Sequence, residues 1–415
     1  MPVRAVPANF GVIKRLYLLC CREIKQLAAD PRLLTIILLM PVFYAVLFGT
    51  LYQPRRVTKI AAWVIDEDHS PLSRAIRNAV ANSETFALVR EDGTLGEFHR
   101  ATQQGDAFAC LWIPKSFERD VKHGRPVRLL TLIDGSNMLI ANSVLRGATE
   151  IGGTYSVGVQ MKRLTMRGTP SDYALSAAIP IESATRVWYN PAFNYLDFLL
   201  PGLIAAIIQQ VTLLAVALAF AREQEQRLVP ELLAISSSPL EVLTVKGVVF
   251  TLINFLVAAG TFVVTFRFYN ITVTGSLPLF LLLLAIFIIS LVGMGLLVSV
   301  LAKDQLFATQ VLMLIAVPSF LLSGFTWPQM SMIPVIRLLS NCLPLTHFVL
   351  AMRAIIVQDA DITIIRPHLL WLWSLAAICY CLAYLAIWHV LARARRYGGA
   401  REYPAGELPA RGCTG

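Results

Sequence analysis

Three short stretches gather the side chains that could do chemistry. "DEDHS", Asp66–Ser70, holds three carboxylates, an imidazole and a hydroxyl within five residues, and "DGSN", Asp134–Asn137, adds a carboxylate, a hydroxyl and an amide. The third, "AREQEQRLVPELLAISSSPLE" at 221–241, shows four glutamates, two arginines and a run of serines between two apolar runs. As acid, base and nucleophile the first two would suit hydrolysis. Each, however, follows a β-rich run and precedes a helical pattern, where Asp, Ser and Asn make turns and N-caps, and that structural role is assigned to both. The sequence has no G-x-S-x-G, H-E-x-x-H or paired-Cys motif, and its six histidines are scattered. No catalytic residue and no metal ligand are therefore assigned. A phosphate-binding loop needs glycine-freed amides and a lysine followed by Ser or Thr. None of the eight lysines is preceded by Gly and followed by Ser or Thr, so no nucleotide site is expected in this chain.

The elements around these stretches are mostly hydrocarbon. Of 415 residues, 56% are hydrophobic and only 15% charged, too apolar a composition for a soluble globule of this length. A helix needs about 20 apolar residues to cross roughly 30 Å of hydrocarbon. Six runs qualify: 33–51, 198–220, 247–266, 277–301, 307–325 and 369–391. The expected fold is a mainly α membrane protein with six transmembrane helices. Positive residues are retained in the cytoplasm. Arg4, Lys14, Arg15, Arg22, Lys25 and Arg32 precede the first run, and Arg393, Arg395, Arg396, Arg401 and Arg411 follow the last. Both termini are thus expected in the cytoplasm. Most of the net charge of +10 follows from this topology and from contact with anionic lipid headgroups, with no nucleic-acid partner needed. The first run follows a charged stretch, exceeds a signal-peptide core and lacks a small-x-small site, so it is read as a retained anchor.

An even number of spans leaves 52–197 outside the cytoplasm. Its apolar runs "KIAAWVID", "TFALV", "DAFACLWIP" and "VRLLTLID" alternate with helical patterns beginning near Pro71, Leu95, Pro114 and Asn137. The expectation is an α/β extracytoplasmic domain inserted between spans one and two, closed by a long helix over 137–167. Only Cys110 and Cys342 of the seven cysteines would meet an oxidising exterior, and no disulfide framework is expected.

Residues 1–32 read as a helix lying in the cytoplasmic interface. Phe10, Ile13, Tyr17, Cys20, Ile24 and Leu27 recur at helical spacing among cations, and Asp30-Pro31 ends the pattern. Residues 326–368 are broken by Pro328, Pro334 and Pro344 yet too apolar for a solvated loop, which predicts short re-entrant helices in the outer half of the membrane. Residues 392–415 form a basic tail. Gln209, Gln210, Asn254 and Gln310 stand within the spans. They line an internal path or hydrogen-bond between helices, and the sequence leaves both readings open. No run of buried carboxylates serves a proton- or sodium-coupled carrier, so the energy for any transport must come from elsewhere.

At this point four stretches resemble one family. "REIKQLAADPRLL", with Glu23, Asp30, Pro31 and Arg32 in the matching places, is similar to the amino-terminal helix of ABC-2-type exporter membrane subunits. "VWYNP" followed by "FLLPGLIA" resembles their return into the second span. "AREQEQ", "LL" and "PLEVLTVKG" resemble their cytoplasmic loop, through Arg222, Glu223, Glu225, Glu231, Leu232, Leu233, Glu241 and Lys246. "LLSGFTWPQMSMIP" through "LPLTHFVLAMRAIIVQD" is similar to their re-entrant region, through Ser323, Gly324, Pro328, Pro344 and Arg353. The chain departs from the family at Leu228-Val229, where Gly-Thr is usual, and at Pro239, which comes a few residues later than the common T/S-P pair.

The resemblance implies a permease subunit of an ATP-driven exporter in a bacterial inner membrane. It implies an ABC ATPase partner that binds ATP and Mg, a second permease subunit of the same or another kind, and an outer domain that docks an adaptor or gates exit. Loop 221–246 would then present a coupling helix, with its charges orienting the partner and Leu232 and Leu233 as buried anchors. The implied substrate is amphipathic or drug-like. The alternative is a membrane-anchored sensor or assembly scaffold whose outer domain binds a ligand.

Overall fold

The protein is described here by a computed structural model covering residues 11–170, 173, 174, 176, 187–226, 228–236, 238–302 and 304–398, with only the backbone described at 230, 231, 234 and 394–398. It divides into two compact units, one of the chain up to Gln53 and from Asn194 onward, the other Pro54–Phe193.

The first unit is helical. Helix α1, Val12–Ala28, is amphipathic and buries Leu19, Glu23 and Leu27 along one face. It stops where the Asp30 carboxylate accepts from the Leu33 amide at 3.1 Å, and Pro31 opens α2, Pro31–Leu51. After the second unit come α7 (Tyr195–Glu225), α8 (Val229–Ile235), α9 (Pro239–Phe268), α10 (Leu277–Leu301), α11 (Gln305–Leu322), α12 (Pro334–Asn341), α13 (Pro344–Gln358) and α14 (Ile362–Gly398). Six of these helices, α2, α7, α9, α10, α11 and α14, are long and apolar enough to cross a membrane among the described residues. Helices α12 and α13 meet at a bend of 84°, set by Pro344 at the start of α13.

The stretch 221–246 is less of a loop than the apolar runs suggest. Helix α7 continues to Glu225 and α9 begins at Pro239, so Arg222, Glu223, Glu225, Glu241 and Lys246 all sit on helices. Short helix α8 lies between them, with Pro230 in its first turn, where a missing N–H costs nothing.

Helices α7 and α10 form the centre of the unit, packing on each other and respectively on α2 and α11, and on α14. Small residues permit the close approach. Gly295 of α10 lies against Val216 of α7, Gly202 of α7 lies under the Phe325 ring, and Gly49 of α2 faces Tyr269, leaving no room for a methyl at any of the three. Ser299 of α10 ties the pair further. Its hydroxyl donates to the Ala217 carbonyl at 2.7 Å and accepts from the amides of Phe220 and Ala221 at 2.9 and 3.0 Å.

The second unit is α/β. Its strands β1 (Ile60–Asp66), β2 (Phe86–Glu91), β3 (Ala109–Ile113) and β4 (Leu130–Ile133) form one sheet in the order β2-β1-β3-β4. Strand β1 is parallel to both neighbours, and β4 runs antiparallel to β3. Helices α3 (Pro71–Asn82), α4 (Leu95–Gln104), α5 (Phe117–His123) and α6 (Met138–Met166) connect and cover it. Central strands buried on both faces explain their near-continuous apolar runs. Ile60, Val64, Leu111 and Ile113 join Ile76, Val80 and Val144 on one side, while Trp63, Ile65 and Cys110 meet Phe98 on the other.

"DEDHS" is a turn. Asp66 accepts from the amides of Asp68 and His69 and from the Ser73 hydroxyl, and Ser70 caps α3 by accepting from the Ser73 amide at 3.1 Å. In "DGSN", Asn137 caps α6 in the same way. The helix expected near Pro114 starts at Phe117, because Ser116 takes a left-handed conformation at φ 61°. Cys110 and Cys342 are both free thiols, and burial pushes the Cys110 thiol up to about 12.

Candidate functional site: a buried charge cluster at the start of the helical unit

Arg22 and Glu23 of α1, Glu223 near the end of α7 and Lys246 of α9 converge in one place. The Lys246 ammonium donates to Glu23 at 2.8 Å and to the Ala219 carbonyl at 2.8 Å, and lies 3.2 Å from Glu223. Arg22 bridges the same two carboxylates, at 3.2 Å from Glu23 and 2.5 Å from Glu223. Side-chain exposure is only 1% at Lys246, 2% at Glu223 and 4% at Glu23. A lone charge cannot be buried this way; four charges sharing contacts can. Burial raises the Glu23 carboxyl above its ordinary range, Lys246 opposes that shift and Glu223 reinforces it. Among the described residues Glu223 Oε2 has no hydrogen-bond partner, and a cavity of about 30 Å³ lined by Glu23, Gln26, Arg222 and Glu223 adjoins it, room enough for a water.

Two further pairs flank the cluster. Arg15 of α1 grips Glu241 with two hydrogen bonds, at 2.8 and 3.2 Å, and Ser236 donates its hydroxyl to the same carboxylate. Arg222 lies 3.2 Å from Asp30. Glu225 accepts from the backbone and side-chain amides of Gln305 at 3.1 and 2.8 Å, fixing the start of α11. Every carboxylate of the stretch whose side chain is described is therefore engaged within this chain. Glu223 and Glu241 are buried by these contacts, whereas Glu225 remains exposed and Arg222 half-exposed. Leu232, expected as an anchor for a partner, is likewise fully buried in this chain's own core; Leu233 packs against that core half-buried. The side chain of Glu231 lies outside the described residues. Of the amino-terminal set, Pro31 and Arg32 are exposed.

The other singled-out residues separate. In the segment after α11, Ser323 donates to Phe320 O and accepts from the Phe325 amide, and Gly324 supplies a left-handed turn at φ 79°. Pro328 begins a short 3-10 turn at Gln329–Ser331 and Pro344 opens α13. The Arg353 guanidinium lies over the rings of Phe198 and Phe325 at 4.8 and 4.9 Å. The four amides share no common surrounding. Gln209 is buried and, among the described residues, neither side-chain polar atom has a hydrogen-bond partner, while Gln210 is half-buried. Asn254 donates to Phe250 on its own helix, and Gln310 is exposed. Hydrogen bonds between spans are made by Ser299, Gln224 and Tyr269.

Sequence reading missed Arg15, Ser236, Ser299 and Gln305 as partners. One signal was there: Lys246 is a lone lysine leading into an apolar run, and such a charge requires a carboxylate nearby.

The six long apolar helices mark a multi-pass membrane protein, and comparison with known proteins makes the assignment specific. Residues 31–385 match the family model described as ABC-2 family transporter protein, and the chain belongs to that family. It is 27% identical over 364 residues, covering 88% of this chain and 95% of the relative, to a probable multidrug ABC transporter permease, YbhR, of Escherichia coli K12. It is 25% identical to a second probable multidrug ABC transporter permease, YbhS, of that strain, over 90% of this chain and 96% of the relative. The inner membrane transport permease YhhJ of the same organism is 24% identical, over 90% of this chain and 96% of its own length. The chain is an ABC-2 type permease.

Proposed function

We infer that the protein is the membrane-spanning subunit of an ATP-driven exporter, moving an amphipathic or drug-like compound outward across a bacterial inner membrane. The observation that carries this reading is the buried cluster of Arg22, Glu23, Glu223 and Lys246, which joins three separate helices at a single point. Force applied to α1 is shared with α7 and α9 through it, with the Arg15–Glu241 and Arg222–Asp30 pairs acting in parallel. A separate ATPase subunit, holding ATP and Mg, supplies that force, and a second permease subunit completes the pathway. Both termini face the cytoplasm and the α/β unit lies outside, where it docks an adaptor or gates exit.

Because Glu223 and Leu232 are inward-facing, the partner contact falls on what the connection leaves accessible. Leu240 is the large apolar side chain there, 60% exposed at the start of α9. The test compares Leu240→Asp with Glu23→Gln, with the cognate ATPase co-expressed. Leu240→Asp is expected to lose co-purification of the ATPase, an apolar anchor being replaced by a charge. Glu23→Gln is expected to keep the partner and ATP hydrolysis while losing drug efflux from cells. Retention of both partner binding and efflux in both variants would overturn the coupling assignment.

A further inference from the structure

The α/β unit contains a cavity of about 400 Å³, within the range of small-molecule sites. Helix α6 forms one wall. Ile151, Tyr155, Val159 and Arg163 recur every four residues and so line one face of it, with Gly152, Ser156 and Gln160 beside them. Opposite stand Leu72 and Ile76 of α3 and Phe117 and Val121 of α5, with Val127 and Leu129 of the following segment. The lining thus combines an aliphatic and aromatic stretch with polar and cationic groups, Ser156, Gln160, Arg125 and Arg163 among them.

Arg163 is the informative residue. Its guanidinium packs on Gly124, which holds a left-handed conformation at φ 77° and has no side chain to displace it. Among the described residues it makes no ion pair and no hydrogen bond through its side chain, although the unit's other wall arginine, Arg125, is paired with Asp120 at 3.5 Å. Tyr155 is held in place by donating its hydroxyl to the Ala75 carbonyl at 2.7 Å, so its ring is a fixed part of the wall. A cavity that sets an aliphatic and aromatic stretch beside an unneutralised planar cation is complementary to a molecule having an apolar body and one anionic head. Guanidinium offers a carboxylate two parallel hydrogen bonds, and burial of the body supplies the rest. The volume admits one short tail or a few rings; the two acyl chains of a phospholipid do not fit.

We propose that the groove between α5 and the second half of α6 binds a single-tailed amphipathic carboxylate, its head on Arg163 and its tail along Ile151, Tyr155 and Val159. The site lies wholly in the α/β unit and does not depend on which substrate the spans carry. The experiment uses the full chain in nanodiscs, a diazirine-bearing dodecanoate as probe, and mass-spectrometric mapping of the labelled peptides. Labelling is expected on α5 and on 151–163, competed by laurate but not by dodecanol or dodecyltrimethylammonium. Arg163→Glu should weaken competition by laurate at least tenfold, while Arg163→Lys retains most of it. Gly152→Phe gives a second handle: a side chain at Gly152 has open space before it, so phenylalanine fills the groove and should abolish labelling without disturbing the helix. Labelling confined to the spanning helices, equal competition by dodecanol, or unchanged affinity in Arg163→Glu would each overturn the proposal.

Discussion

Lys122 of α5 reaches Glu118 one helical turn away at 2.9 Å with its side chain 69% exposed, whereas Lys246 of α9 reaches Glu23 of α1 at 2.8 Å with its side chain 1% exposed. Nearly equal distances conceal different energetics. The exposed pair loses little water on forming, is screened by salt and adds little stability. The buried pair exists only because Arg22 and Glu223 complete it, and removing one member strands the others. The units differ likewise in hydroxyls: Ser70 caps a solvent-facing helix end, while Ser299 satisfies backbone groups between two spans. At these two serines, the hydroxyl of the α/β unit adjusts the end of one element, and that of the helical unit holds two helices together.

The largest test of this contrast is Lys246→Met. It leaves two buried carboxylates facing Arg22 alone, with room for no more than a water beside them, and should lower stability by about 3–5 kcal/mol. Thermal unfolding in nanodiscs would show it, and adding Glu23→Gln to the same chain should recover more than half. A double variant no better than the single would mean that the cluster is not a unit. Next comes the pair of serines. Ser299→Ala removes a partner from two buried amides and a carbonyl and should cost about 1–3 kcal/mol, against about 1 kcal/mol for Ser70→Ala. Equal losses would erase the distinction between the units. The smallest effect belongs to Lys122→Ala, which should shift stability by no more than about 0.5 kcal/mol. A loss comparable to that of Lys246→Met would break the comparison.

What was legible in the sequence follows from the range of the physics. Hydrophobic runs, the Asp30-Pro31 break and the strand–helix alternation of the α/β unit are local patterns, and local patterns are written in consecutive residues. The bend between α12 and α13 was legible because prolines interrupt an apolar stretch. The charge cluster was not: Glu23 and Lys246 are 223 residues apart, and nothing in either neighbourhood names the other. Glu223 and Leu232 stood in a stretch that read as exposed because the connection is short and charged. Their burial comes from α1 packing against α8 and α9, a tertiary fact without a periodic signature. The groove beside α6 was equally hidden, since its four-residue stripe looks like any helix face until the opposite wall is in place.

The charge cluster divides in a particular way between its helices. Helix α1 contributes one cation and one anion, Arg22 and Glu23; α7 and α9 contribute another anion and cation, Glu223 and Lys246. Drawing α1 away would therefore separate two neutral halves, each still holding its own ion pair, and Lys246 would keep the Ala219 carbonyl as well. No net charge is pulled from its counter-charge in the process. A joint made this way can be firm when closed and still open and reseat cycle after cycle, which a single Lys–Glu bridge between the same helices could not do.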